Sequence, residues 1–458
     1  MPQLKYLSFA LFAVTSIGLN STYAASTMTV LSEEQMSETV GQALMSMTYI
    51  APSDSANTNS TRFPGSAIGF YKLGMEAELE LNANIKKLQL GCGGVNGADA
   101  CDIDIDYLSL SGLGNSATSN KGTEADRNAR VGSSAVLTNP YMQFAIKNPD
   151  KASTRELVGI NLSSEKATGL LTFGLENGVD ANKNGISSGV NKLSGYMVVA
   201  AQKGYATINP ITITQNGAVN PTGTALSGKA CDTLLIFGGC GVLRPNYVST
   251  SYNITMTPQS LAELSLAEQV ITGKRISSAT LYASTTVNNI KLSGTLAADT
   301  DLLGIKISGN TSGILNNLKV NVTIDESLGL FHKASLNGTP VNLSLQALDL
   351  MWPGAKSVAQ TGWWLEVSNP IDIGDITPNK NVDIAMPTIK DALIEVNKYL
   401  SNNYVMCGTL ASSCLLGNIP LGTANLPSTA NPVDMQMVNL SLKNQDFTPN
   451  CYGTLKFC

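Results

Sequence analysis

Residues 91–106 read GCGGVNGADACDIDID, a stretch in which glycines, cysteines and aspartates each suggest a chemistry. Glycine amides cradle phosphate when a helix N-terminus follows, but G-C-G-G-V-N-G is not G-x-G-x-x-G, and a strand pattern comes next. Thiolates hold zinc from closely paired knuckles or with added histidines, and they cycle redox equivalents from C-x-x-C. Cys92 and Cys101 have neither spacing, and the chain carries one histidine, His332. Alternating aspartates open an EF-hand loop, yet Tyr107 stands where that loop needs glycine and Leu113 where it needs a bidentate glutamate. The expectation is a hairpin tip turned at Asn96-Gly97 and clamped by Cys92–Cys101. Asp102, Asp104 and Asp106 would then solvate one face of the returning strand.

Other chemistry-bearing residues are sparser. DANKNGISSGVN (180–191) fits the first half of a calcium loop through Asp180, Asn182, Asn184 and Gly185, but Asn191 replaces the closing acid. A polar Asn-Gly turn is the expected reading there, with calcium binding at Asp180–Asn191 left open. His332 lies in FHKASL and is expected on a strand, exposed; any Ser-His-Asp triad would have to use it. Asp372 and Asp375 have the character of a glycosidase pair, as do many pairs in a chain with 34 acids. Trp352, Trp363 and Trp364 suit a sugar-stacking platform or a core, and TGWWLEV puts the adjacent pair on opposite faces of a strand, which favours the core. No catalytic, cofactor-binding or metal-ligating residue is assigned, and the expectation is a protein that is not an enzyme and needs no cofactor.

The elements that must position these residues are mostly strands. EAELELNANI (76–85) and DIDIDY (102–107) alternate polar with apolar residues, the period of a half-buried strand. Further strands are expected at 155–161, 168–175, 196–201, 205–214, 246–256, 283–293, 317–324 and 341–349. Asn-Gly recurs at 177–178, 184–185, 216–217 and 337–338 as turn punctuation. Helices are expected at 32–40, after Ser32 with Gln35 in the capping-box position; at 258–272, from Thr257-Pro258 to Gly273; and at 388–401, along Ile389, Leu393, Val396 and Leu400. The fold class is therefore mainly β, with antiparallel sheets in a sandwich-like or elongated arrangement, about three short helices and local disulfide-clamped hairpins. The expected division is 1–24 signal peptide, 25–255 first β-rich domain, 256–402 second β-rich domain with two helices, and 403–458 a disulfide-stapled tail.

Composition fits an exported chain. Lys5 precedes an apolar run from Leu7 to Leu19, and small residues sit at −3 and −1 of a cut after Ala24, as in a secretory signal peptide. The run is too short to span a bilayer, which takes about 20 residues. Charged residues make up 14 % and the net charge is −5, which leaves no basic footprint for nucleic acid. Eight cysteines fall into four local couples: Cys92 with Cys101, Cys231 with Cys240, Cys407 with Cys414 and Cys451 with Cys458. In an oxidising compartment these are disulfides, each removing about 2.5 kcal/mol of unfolded-chain entropy in the loop model.

LSEEQMSETVGQAL (31–44), GFYKLGMEAELELNANIKKLQLGCGGVNGADACDIDIDYLSLSG (69–112), LTNPYMQFAIKNPDKASTRELVGINLSSEKATGLLTFG (137–174) and LYASTTVNNIKLSG (281–294) together resemble the FilA-type proteins. These are encoded with fil fimbrial-biogenesis clusters in Gram-negative bacteria. The resemblance implies a pilus- or filament-associated surface role and supplies no catalytic residues. The chain departs from pilin patterns: it has no type IV prepilin leader, and Phe457 is penultimate while Gln445 stands near the position of a chaperone–usher subunit's glycine. The expectation is an exported, non-enzymatic structural or adhesive protein at the cell surface, in a fimbrium or in the periplasm. Its partners would be other fimbrial or envelope proteins, or further copies of itself. A secreted carbohydrate-binding protein or glycosidase and an outer-membrane β-barrel are the alternatives.

Overall fold

Period-two alternation is realised as strands along most of the described residues. The computed structural model describes residues 45–97, 100–113, 132–174, 178–179, 185–186, 188–217, 223–231, 244–301, 306–373, 376–407 and 417–438. Their strands form a 12-stranded, a seven-stranded and a five-stranded sheet, plus one short ladder. Antiparallel pairs predominate, with parallel pairs mixed in.

The 12-stranded sheet starts at the edge strand Met45–Ile50 and passes through Ile68–Met75 and Ala135–Lys147 to the long strand Glu156–Thr172. From there the pairings close on themselves. Glu156–Thr172 pairs with Val341–Gln346, then Gly362–Ile371, Val190–Val199 and Ile103–Ser111, and the last of these pairs back onto Glu156–Thr172 through Leu110 and Leu171. A 17-residue strand makes this possible, because its two halves hold different neighbours on each side. The expected strands at 155–161 and 168–175 are these two halves.

The five- and seven-stranded sheets face each other as a sandwich. Ser278–Val287 alternates exposed and buried along its whole length, the pattern of a strand wet on one face. The chain crosses between the sheets at Asn288-Asn289 and again at Asn317. Asn289 and Asn317 have positive φ, which asparagine tolerates better than most residues. Each crossover latches the other: the Asn289 amide donates to Asn316 Oδ1 and the Asn317 amide to Asn288 Oδ1, both at 2.8 Å. Buried side chains from all three sheets and from the helix Met386–Asn402 join one apolar cluster. Residue 256, where a second domain was expected to begin, lies inside the strand Asn246–Pro258.

The helix Met386–Asn402 forms where the apolar stripe implies, with Pro387 in its first turn and Ile389, Leu393, Val396 and Leu400 buried. The expected helix at 258–272 is a correction: Ala262–Leu266 and Gln269–Ile276 are strands. Ala262, Leu264 and Leu266 are buried and alternate with exposed Glu263 and Ser265, while Leu261, which a helical stripe would bury, is 57 % exposed. Two α-helices occur among the described residues, the other being the single turn Asn59–Arg62. The segment 32–40 lies outside the described residues.

Candidate functional site

The opening stretch is a stapled turn. Ala83–Leu90 and Ile103–Ser111 pair in register, the Cys92–Cys101 disulfide closes the tip, and Gly97 takes the positive φ of the turn. The three aspartates, however, do not share one solvated face. Asp102 is 1 % exposed; its carboxylate accepts the Trp363 amide at 3.0 Å and Asn96 Nδ2 at 3.3 Å, so it fastens the hairpin to a distant strand. Asp104 and Asp106 do face outward, where Lys87 Nζ reaches them at 2.5 and 2.9 Å and Asn191 Nδ2 at 3.0 and 2.7 Å. Burial opposes ionisation of Asp104, but hydrogen bonds from Lys87, Gln89 and Asn191 and the Lys87 charge outweigh it and hold its pKa below the ordinary carboxylate value. Residues 180–184 and 187 of the 180–191 loop lie outside the described residues, and Asn191, its last member, is engaged with these aspartates.

The remaining candidates are scattered. His332 is fully buried rather than exposed, with Nδ1 2.7 Å from the Phe173 carbonyl, because it links a 3-10 turn to the strand Lys333–Asn337 inside the core. Trp352 and Trp364 are each 2 % exposed, while Trp363 is half-buried on the opposite face of its strand from Trp364. Asp372 is exposed, and Asp375 lies outside the described residues. Cys231 and Cys407 are also disulfide-bonded; Cys240, Cys414, Cys451 and Cys458 lie outside the described residues.

What the large sheet brings together was not anticipated. Cross-strand pairing lines up Tyr141, Ser163, Asn342 and Glu366 in one row, and Gln143, Asn161, Ser344 and Trp364 in the next. This polar face is the covered one: Gln143, Asn161, Asn342, Ser344 and Glu366 are all buried. Polar atoms tolerate that only when hydrogen-bonded. Asn161 Nδ2 donates to Gln143 Oε1 at 2.9 Å and to Asn342 Oδ1 at 3.3 Å. Glu366 accepts from the Lys356 amide at 2.8 Å, the Ser357 amide at 3.1 Å, the Ser357 hydroxyl and the Ser368 hydroxyl. The carboxylate thereby clamps the segment 350–361 over the sheet, where Leu350, Trp352 and Ala359 pack on Phe70, Ala145, Val158 and Trp364.

The opposite face of the same strands carries apolar rows. One runs Met47, Leu73, Met142, Leu162, Leu343, Leu365; its neighbour runs Tyr49, Tyr71, Phe144, Ile160, Leu345, Trp363. Leu343, Leu365 and Trp363 lean on the main core. Towards the edge the rows open to solvent, with Leu162 45 %, Leu73 37 % and Met47 76 % exposed. Contiguous exposed apolar area of this kind marks a contact surface rather than a reaction centre. Its sequence signal was the alternation in MSMTYI and in GFYKLGM, which shows a two-faced strand without showing which face is covered. No family model matches the chain, and no curated protein or solved structure is similar to it, so the reading rests on this geometry.

Proposed function

We propose that the chain is an exported, non-enzymatic structural or adhesive protein of the cell surface, working with filament or envelope proteins as its FilA-type resemblance implies. The observation that carries this reading is the inverted large sheet: its polar residues hydrogen-bond one another and the covering segment, Asn161 Oδ1 excepted, while uncharged apolar rows face solvent towards one edge. Such a surface associates by excluding water and suits a partner surface that is itself apolar and uncharged. The experiment compares a gene deletion with a strain exporting the Leu73→Asp, Leu162→Asp double variant. The deletion should lose surface filaments or adhesion, and the double variant, exported at the normal level, should lose the same property. Unchanged filaments and adhesion in the deletion, or full adhesion in the double variant, would sink the proposal.

A further inference from the structure

We infer that the edge strand Met45–Ile50 pairs with the same strand of a second copy of this chain, antiparallel across a two-fold axis. An edge strand exposes a row of backbone donors and acceptors, and proteins usually blunt such rows with charge, proline, a bulge or short length. The six strands that end the three sheets can be compared directly. Ala83–Leu90 carries Lys87, Gln202–Ala206 carries Lys203, Val433–Val438 carries Asp434, Asn418–Asn425 carries Pro420 and a register shift, and Tyr404–Met406 has three residues. MSMTYI has none of these devices and pairs with its neighbour in unbroken register. Met45 to Tyr49 are exposed on both faces and Ile50 is half-buried, so among the described residues none covers the strand.

The sequence of the strand fits a second copy of itself. Two-fold antiparallel pairing keeps side chains of one parity on one face. In the register centred on Met47, Met45 meets the partner's Tyr49 and Ser46 the partner's Thr48. In the register centred on Thr48, Met47 meets the partner's Tyr49 and Ser46 the partner's Ile50. Either way the exposed apolar rows continue into the second copy. The strand itself carries no charge; Lys72, paired with Thr48, is drawn to Glu165 at 3.6 Å and over the Tyr141 ring at 4.1 Å, and the two charges that act on Tyr49, Asp150 and Arg155, are of opposite sign. One strand pair buries less than a standard interface, so the association is concentration-dependent. This goes beyond the adhesive reading and is separable from it, since a chain that stays monomeric can still adhere.

The test uses the full chain with single cysteines. Only a residue on the two-fold axis meets its own copy within disulfide reach; a residue two positions away is about 13 Å from its mate. Mild oxidation should therefore give a covalent dimer from Met47→Cys or from Thr48→Cys, and none from Met45→Cys. Sedimentation of the unsubstituted chain should show mass rising towards two copies with concentration. Met47→Lys, whose side chain points into solvent and leaves the circular dichroism unchanged, should weaken that association at least tenfold. A monomer at every concentration with no cross-link at positions 47 or 48 would overturn the inference, as would equal cross-linking at all three positions, the mark of parallel pairing. Co-sedimentation of the monomer with phosphatidylethanolamine–phosphatidylglycerol vesicles in place of dimerisation would assign the strand to lipid and overturn it too.

Discussion

Glu366→Gln is the sharpest probe of how the polar face is held shut. The substitution keeps shape and volume but turns one acceptor oxygen into a donor. Each Glu366 oxygen accepts two hydrogen bonds, so two of the four are lost and a donor is left facing donors. At about 1.5–3 kcal/mol for each bond to a charged acceptor, the gross loss is about 3–6 kcal/mol. Relief from burying a charge offsets part of it. A net cost of about 2–3 kcal/mol raises the open population of the 350–361 cap by about 30- to 150-fold. Lys356 is exposed in the cap, so tryptic cleavage there should accelerate by that factor wherever cleavage follows the open population. Of the three tryptophans, Trp352 belongs to the cap and Trp364 lies beneath it, so emission should shift to the red and become quenchable by acrylamide. Far-UV circular dichroism should stay unchanged. Unaltered cleavage and emission would refute the clamp. Equal acceleration at lysines across the chain would refute the cap as a separately opening unit.

Asp104 has a folded pKa below its unfolded value, so its contribution to stability is present above the ordinary carboxylate pKa and is lost as pH falls through the depressed folded value. Asp104→Asn should flatten that part of the acid limb in urea melts taken from pH 5 downwards, and in the neutral range it should lose the Lys87 ion pair together with the hydrogen bonds to whichever oxygen the amide nitrogen replaces. Gly362→Ala would set a Cβ 2.3 Å from Asp102 Oδ2 at a φ of +104°, and should cost about 2–4 kcal/mol by denaturant titration through strain and displacement of the Asp102–Trp363 bond. Gly338→Ala, with open space around its Cβ, is the control that carries backbone strain alone. In the helix, Leu393→Ala should cost about 2–4 kcal/mol and the exposed neighbour Ile394→Ala under about 1 kcal/mol in the same melts.

Local pattern carried much of the architecture. Period-two alternation marked about half of the strands, with the expected segments 205–214 and 283–293 each proving to be the end of one strand and the start of another, and the stripe Ile389, Leu393, Val396, Leu400 marked the helix, because one wet and one dry face is a property of each element by itself. The failures came where a distant partner decided. Residues 258–272 offer a cap, a proline and apolar spacing compatible with a helix turn, yet strand partners on Gln202–Ala206, Ser278–Val287 and Val190–Val199 claim them. Asp102 sits one residue before its strand begins and so escapes the parity of Asp104 and Asp106; its buried role is set by the Trp363 amide, 261 residues away. His332 looked like part of an exposed strand because nothing in FHKASL announces the backbone of Phe173 beside it. The apolar rows were invisible for the same reason: alternation fixes that two faces differ, and long-range topology fixes which one meets water.

The closed circuit of strands in the large sheet also governs the order in which the chain can fold. The Ala83–Leu90 and Ile103–Ser111 hairpin is local and can form as soon as it is made. Glu156–Thr172 gains its far-side partners only when residues 333–346 exist, and Val190–Val199 waits for Gly362–Ile371. Contacts of such sequence separation slow folding, and unpaired strand edges invite aggregation while they wait. A growing chain therefore carries a half-built sheet through most of its synthesis, with about the last quarter acting as the closing piece. Truncation after residue 332 leaves the long strand without that closing piece, so the N-terminal portion has to be shielded until the remainder arrives.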